Sequence, residues 1–141
     1  MSHLEHLDAA AIKSGDELPA VSIPITLQRL VMEAGANRDL SQIHHDASVA
    51  NATGAPAAFA NTYFLMGMFE RLIRQWAGPV ARIRKIGPLR MLVFNSVGDT
   101  VAFKGNVLSV ETAPGRVSVD IWAESGRGKT VTCKALVQLR G

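Results

Sequence analysis

One long apolar stretch closed by a double stop constrains this chain more than any other feature. Phe59, Tyr63, Met66, Phe69, Ile73 and Trp76 recur every three or four residues, and Gly78-Pro79 ends the run. The spacing predicts a single helix of about five turns. Leu65, Gly67, Met68 and Leu72 keep its other faces apolar or small, the pattern of a helix nearly surrounded by protein. Glu70, Arg71 and Arg74 in its second half, together with its length, exclude a membrane span.

Beyond Pro79 the pattern turns extended. Residues 82–94 are interrupted at Gly87-Pro88, where a bulge is expected; 100–110, 116–123 and 130–139 each follow a glycine-containing turn. Val117, Val119 and Ile121, then Val131, Cys133, Ala135, Val137 and Leu139, alternate cleanly, so one sheet face is buried and the other more polar. A four-strand antiparallel meander follows. Upstream, Val21, Ile23 and Ile25 alternate around Pro24, which confines that strand to an edge or start. Thr26 is placed to cap a helix carrying Leu27, Leu30, Val31 and Ala34, with Gly35 closing it. Asp46 is placed to cap a short alanine-rich helix over 47–53. The order of elements gives an α+β fold.

At 141 residues the chain is the length of one domain, and 48% hydrophobic with 19% charged residues supplies a core. A mean hydropathy of +0.14 is apolar for this size, so a homodimer or larger homo-oligomer is expected to cover part of the surface. Cys133 is the only cysteine and no zinc-site spacing occurs, so neither a disulfide nor a metal is expected. Residues 1–20 carry acids and histidines where a signal peptide needs a basic start and an apolar run, which points to the cytoplasm. Residues 1–14 of the single 1–141 domain, with His3 and His6, read as a mobile or loosely packed lead segment.

The isoelectric point near 9.4 invites a nucleic-acid reading that the placement of charge weakens. Arg71, Arg74, Arg82, Arg84, Lys85 and Arg90 form a patch within residues 71–90, which contain no acid. No interleaved aromatics or nucleic-acid-binding motif accompany it, so no nucleic-acid partner is expected; a small polyanion such as a nucleotide pyrophosphate fits a patch of this size.

The polar segment 36–46 holds most of the chemistry. Asp39-Leu40-Ser41-Gln42-Ile43-His44 resembles the D-x-N-P-I-H segment of the MaoC-like enoyl-CoA hydratases and dehydratases, and it stands where that family has it, ahead of the central helix. Gly15-Asp16-Glu17-Leu18-Pro19 is similar to the family's entry into its first strand, so the resemblance spans nearly the whole chain. It departs from the family in carrying Ser41-Gln42 for the usual Asn-Pro and Ala60-Asn61-Thr62 for the usual A-H-G turn. Ile43-His44-His45-Asp46, Phe59-Ala60-Asn61 and Trp76-Ala77-Gly78-Pro79 resemble one branch, the small subunits of heteromeric hydratases acting on steroid side chains. Less closely, the chain resembles the heteromeric dehydratase subunits of mycolic acid synthesis. The resemblance implies a hot-dog fold, a curled antiparallel β-sheet wrapped around one long central helix. It implies an acyl-CoA thioester substrate, no cofactor beyond the coenzyme A that the substrate carries, and either self-association or a heteromer with a second MaoC-like chain.

It also implies that Asp39 and His44 are the catalytic pair. Hydrating an α,β-unsaturated thioester needs a base for water, a proton for the α carbon and a donor for the enolate oxygen. An imidazole and a carboxylate can hold the same water, and coupled groups share their protons, so the formal base stays open between them. The resemblance places the oxyanion donor at the Thr62 N–H, at the positive end of the helix, with Asn61 as a second donor or helix start and Ser41 beside the substrate. Arg82, Arg84, Lys85 and Arg90 are candidates for the coenzyme A phosphates, alternation setting Arg82, Arg84 and Arg90 on one face and Lys85 on the other unless the Gly87-Pro88 bulge shifts the register. His45 is expected to point elsewhere, Trp76 and Trp122 to pack. Two other functions compete: a non-catalytic partner subunit that shapes an acyl pocket, and a hot-dog thioesterase, for which Glu70 lies too far along the helix.

Overall fold

The structure, a computed structural model, describes residues 7–139. Strand β1 (Glu17–Pro24) leads to helix α1 (Leu27–Asn37), a one-turn 3₁₀ helix (Gln42–His44) and helix α2 (Ala47–Ala52). Helix α3 (Thr62–Ala77) follows, then strands β2 (Arg82–Ile86), β3 (Arg90–Met91), β4 (Thr100–Glu111), β5 (Arg116–Ser125) and β6 (Gly128–Gln138). The strands form one antiparallel sheet ordered β1-β4-β5-β6-β2, with β3 also on β6.

Helix α3 begins where Asn61 caps it and ends at Gly78, whose φ of 80° is a conformation glycine adopts without steric penalty. Leu65, Phe69, Leu72 and Ile73 are at most 1% exposed, and burying each contributes about 1.5–3 kcal/mol. Phe69 meets Phe103 of β4 edge to face, 5.4 Å between ring centres. Val101, Val107, Val117, Val119, Ile121, Val131 and Val137 complete the core from the sheet's inner face. The α+β hot-dog expectation holds: an antiparallel sheet packs its apolar face around one long helix.

Several expectations change in detail. Helix α3 starts at Thr62, and Phe59 stands outside it, bridged to Ser96 in extended backbone and packed on Phe94. The buried stripe also turns: Tyr63 is 66% exposed, while Leu65, Met68 and Leu72 face the core. Gly67, Glu70, Arg71, Arg74 and Gln75 leave a second face of α3 open in this chain. The meander covers β4-β5-β6 only, because β2 crosses to the far edge of β6, where Ile83 and Ile86 join the inner row beside Val137 and Ala135. Helix α1 runs past Gly35 to Asn37 and stops at Arg38, left-handed at φ 56°. Residues 1–6, including His3 and His6, lie outside the described residues. From Leu7 onward the lead segment is packed rather than loose: Ala9 and Ile12 are buried, and the Gly15 N–H donates to Val107 O.

Candidate active site

The end of α1 aims Asp39. With Arg38 left-handed, the chain reverses and the Asp39 N–H returns to Ala34 O at 2.9 Å, satisfying one of the last helical carbonyls. The Ser41 N–H then donates to Asp39 Oδ1 at 3.3 Å, and the 3₁₀ turn carries His44 inward until it is 4% exposed. Its Nδ1 lies 2.7 Å from Phe59 O and its ring meets Phe59 edge-on at 5.3 Å. The start of α3 supplies the third member. Asn61, 4% exposed, accepts from the Phe64 N–H at 2.8 Å through Oδ1 and donates from Nδ2 to Asp39 Oδ2 at 3.0 Å. One side chain caps the central helix and holds the carboxylate.

Asp39 Oδ2 also lies 3.1 Å from His44 Nε2. A carbonyl oxygen only accepts, so the contact with Phe59 O puts hydrogen on Nδ1 and turns Nε2 toward Asp39. Without a further proton, Nε2 and Oδ2 would be two acceptors at hydrogen-bond distance. Nε2 and Oδ2 therefore converge on one point, across which a proton can pass between the two side chains. The Asn61 amide is the main influence holding the Asp39 carboxyl below its ordinary pKa; the Ser41 N–H and His44 add to it and desolvation opposes them.

Asp39, His44, Asn61 and the Ser41 backbone thus come together in space. Ser41 gives its N–H and no capping bond from its hydroxyl. Thr62 is the exposed first residue of α3, where N–H groups lack intrahelical acceptors. His45 is exposed, and Asp46 caps α2 by accepting from the Ser48 and Val49 N–H groups. Glu70 lies on the open face of α3, paired with Arg74 at 3.2 Å. Among the described residues no three His, Cys, Asp or Glu side chains gather as a metal site, and no helix is long and apolar enough to cross a membrane.

The basic candidates are distributed differently from simple alternation. The register shifts between Ile83 and Lys85, so Arg84 is an inserted residue. Arg82 opposite Gln138, Lys85 opposite Leu136 and Arg90 opposite Thr132 consequently share the outer face. The inner edge, Ile83 and Ile86, instead flanks a cleft with Asn37, Tyr63, Gly67 and Arg74, reaching from the end of α1 along the open face of α3. Trp76 packs on the core, whereas Trp122 is half-buried on the outer face, donating to Glu124 at 3.1 Å with Lys129 above its ring.

Sequence reasoning missed Glu33. It stands on α1 one turn before Asn37, whose side-chain amide donates to Glu33 Oε1, while Oε2 is buried without a partner. Burial raises its pKa; Asn37, His44 and Asn61 oppose the rise and Asp39 adds to it. The signal was the Glu33 and Asn37 spacing of four on the helix that leads into Asp39.

No protein-family model matches the chain. A curated relative from Mycobacterium tuberculosis, the 3-oxo-4,17-pregnadiene-20-carboxyl-CoA hydratase beta subunit, is 35% identical over 111 residues, covering 79% of this chain and 84% of that protein. A chain of the ChsH1–ChsH2 complex, also from Mycobacterium tuberculosis, superposes with a TM-score of 0.85 at 33% identity, covering 91% of this chain and 98% of that one. The (R)-hydratase from A. caviae involved in PHA biosynthesis shares the fold at a TM-score of 0.83 and 19% identity, covering 92% and 98%.

Proposed function

The chain belongs to the MaoC-like hot-dog family of hydratases and dehydratases, and from that premise we propose that it is a catalytic subunit of an enoyl-CoA hydratase. The observation that carries this reading is the contact of Asp39 Oδ2 with His44 Nε2 at 3.1 Å, braced by Asn61 at the head of the central helix. Water bound against the pair gives up a proton to it as its oxygen attacks the β carbon. The electron pair of the double bond moves to the thioester oxygen, which the Thr62 N–H and the helix dipole stabilise. The pair then returns a proton to the α carbon. Its proton count is unchanged over the cycle, and the same steps reversed remove water.

A non-catalytic partner would have no use for a buried imidazole held at both nitrogens, so the retained pair favours a catalytic chain. The cleft between α3 and β2 is the proposed entry for the acyl thioester, with the edge of β2 beside it. Arg82, Arg84, Lys85 and Arg90 remain the proposed phosphate handle, now with Arg82, Lys85 and Arg90 acting from one face. The relatives support a bulky, steroid-type acyl group and a heteromer with a second MaoC-like chain. Purified chain is assayed with short and bulky enoyl-CoA thioesters, alone and with any co-purifying MaoC-like chain, by loss of enoyl absorbance. Hydration of the bulky substrate supports the full reading. Hydration of short substrates only removes the steroid assignment, and no hydration in either arm removes the hydratase reading.

A further inference from the structure

We infer that Glu33 is a positioning residue of this site: from α1 it sets a second carboxyl beside Asn61 and His44, so that the proton shared by Asp39 and His44 is held against two acids. The geometry is specific. Glu33 Oε1 is engaged by the Asn37 amide, which fixes the side chain, while Oε2 is buried without a hydrogen-bond partner. A carboxylate oxygen in that state is costly unless its charge is used. The chain neighbour of Glu33, Ala34, accepts the Asp39 N–H at 2.9 Å, which sets Glu33 at the edge of the site, and the His44 imidazole, the Asn61 amide and the Asp39 carboxylate all bear on its charge. On its own helix, Arg29 shares a surface cleft with it but is tied to Pro24 O. Asn61, with two amide hydrogens, thus lies between two acids and gives its full hydrogen bond to Asp39.

The physical effect follows from charge. An ionised Glu33 favours the imidazolium and disfavours a second carboxylate, so each proton loss from the coupled pair is harder while Glu33 is charged. Burial and Asp39 resist that ionisation, and His44 and the two amides promote it, so the charge of Glu33 is coupled to the pair.

The inference rests on the hydratase reading for its kinetic arm and is tested with a second arm that does not. Glu33→Gln keeps the shape and can still accept from Asn37, but removes the charge. Both limbs of the kcat/KM profile should move to lower pH, on the order of half a pH unit or more, as for one nearby charge in a partly solvated setting. Glu33→Asp, which keeps the charge on a shorter arm, should fall between Glu33→Gln and the parent. The imidazole of His44, followed by NMR titration and assigned by its loss in His44→Gln, should titrate at lower pH in Glu33→Gln. A purely structural role would lower the melting temperature without moving either titration. If wild-type protein hydrates no enoyl-CoA, the hydratase reading fails while the NMR arm still decides the inference. An unmoved His44 titration in folded Glu33→Gln overturns it.

Discussion

Asn61 performs two jobs that substitution can separate. Asn61→Ser keeps an oxygen able to cap α3, since serine and asparagine are comparable N-caps, but serine is too short to reach Asp39. Asn61→Ala loses both. The cap contributes about 1 kcal/mol, and the hydrogen bond to ionised Asp39 belongs to a class worth about 1.5–3 kcal/mol. Asp39 is 25% exposed and keeps its contacts with Ser41 and His44, so the lower end applies. Asn61→Ser should destabilise by about 1.5 kcal/mol and Asn61→Ala by about 2.5 kcal/mol at neutral pH, read by urea unfolding. The pH dependence sharpens the test. Asn61 is the first cause of the lowered Asp39 pKa, so the stability it adds is present above the unfolded carboxyl pKa and vanishes as pH falls through the folded one. The gap between parent and Asn61→Ser should therefore close in acid, while the cap deficit of Asn61→Ala persists. The acid limb of kcat/KM should also move upward in Asn61→Ser. A constant stability gap between parent and Asn61→Ser from neutral to acid pH, with an unmoved acid limb, would refute the reasoning.

Other consequences lie in the core and the sheet. A Cβ at Gly105 would stand 2.8 Å from Ile121 Cγ2 and 2.9 Å from Asp120 O, so Gly105→Ala should destabilise by about 1–3 kcal/mol in chemical denaturation. Leu72→Ala, at 0% exposure in the α3 contact, should lose about 2–5 kcal/mol on the same assay. Burial raises the Cys133 thiol above its ordinary pKa, so it should resist thiol reagents in the native state and react fully in denaturant. Arg82 and Lys85 share a face, so Arg82→Ala and Lys85→Ala should each raise KM for a CoA thioester about tenfold with little change in kcat, less so at high salt; unchanged KM in both leaves the phosphates to other residues.

What the sequence made legible followed from periodicity and caps. Thr26, Asp46 and Asn61 each accept from backbone N–H groups at helix starts, and the strict alternation of β5 and β6 matched the buried face of the sheet. The Asp39 and His44 convergence followed from the resemblance of one hexapeptide, whose 3₁₀ turn no apolar period announces. Other features depended on long-range geometry. An apolar count around α3 cannot say which side meets the sheet, so Tyr63 and Leu65 exchanged places. The crossing of β2 to β6 is a choice of partner, and the inserted Arg84 is a matter of register; neither leaves a mark in local spacing. Glu33 reads as an ordinary helix-surface acid until α1 is laid against Asn61 and His44.

The central claim is that Asp39 and His44 share the proton that hydration moves, and the most direct measurement is turnover of an enoyl-CoA by Asp39→Asn and His44→Ala beside the parent. With circular dichroism and melting cooperativity retained, kcat should fall about a hundredfold or more in each single variant, and the double variant should fall far less than the product of the two. Near-parental kcat in either folded variant would contradict the account.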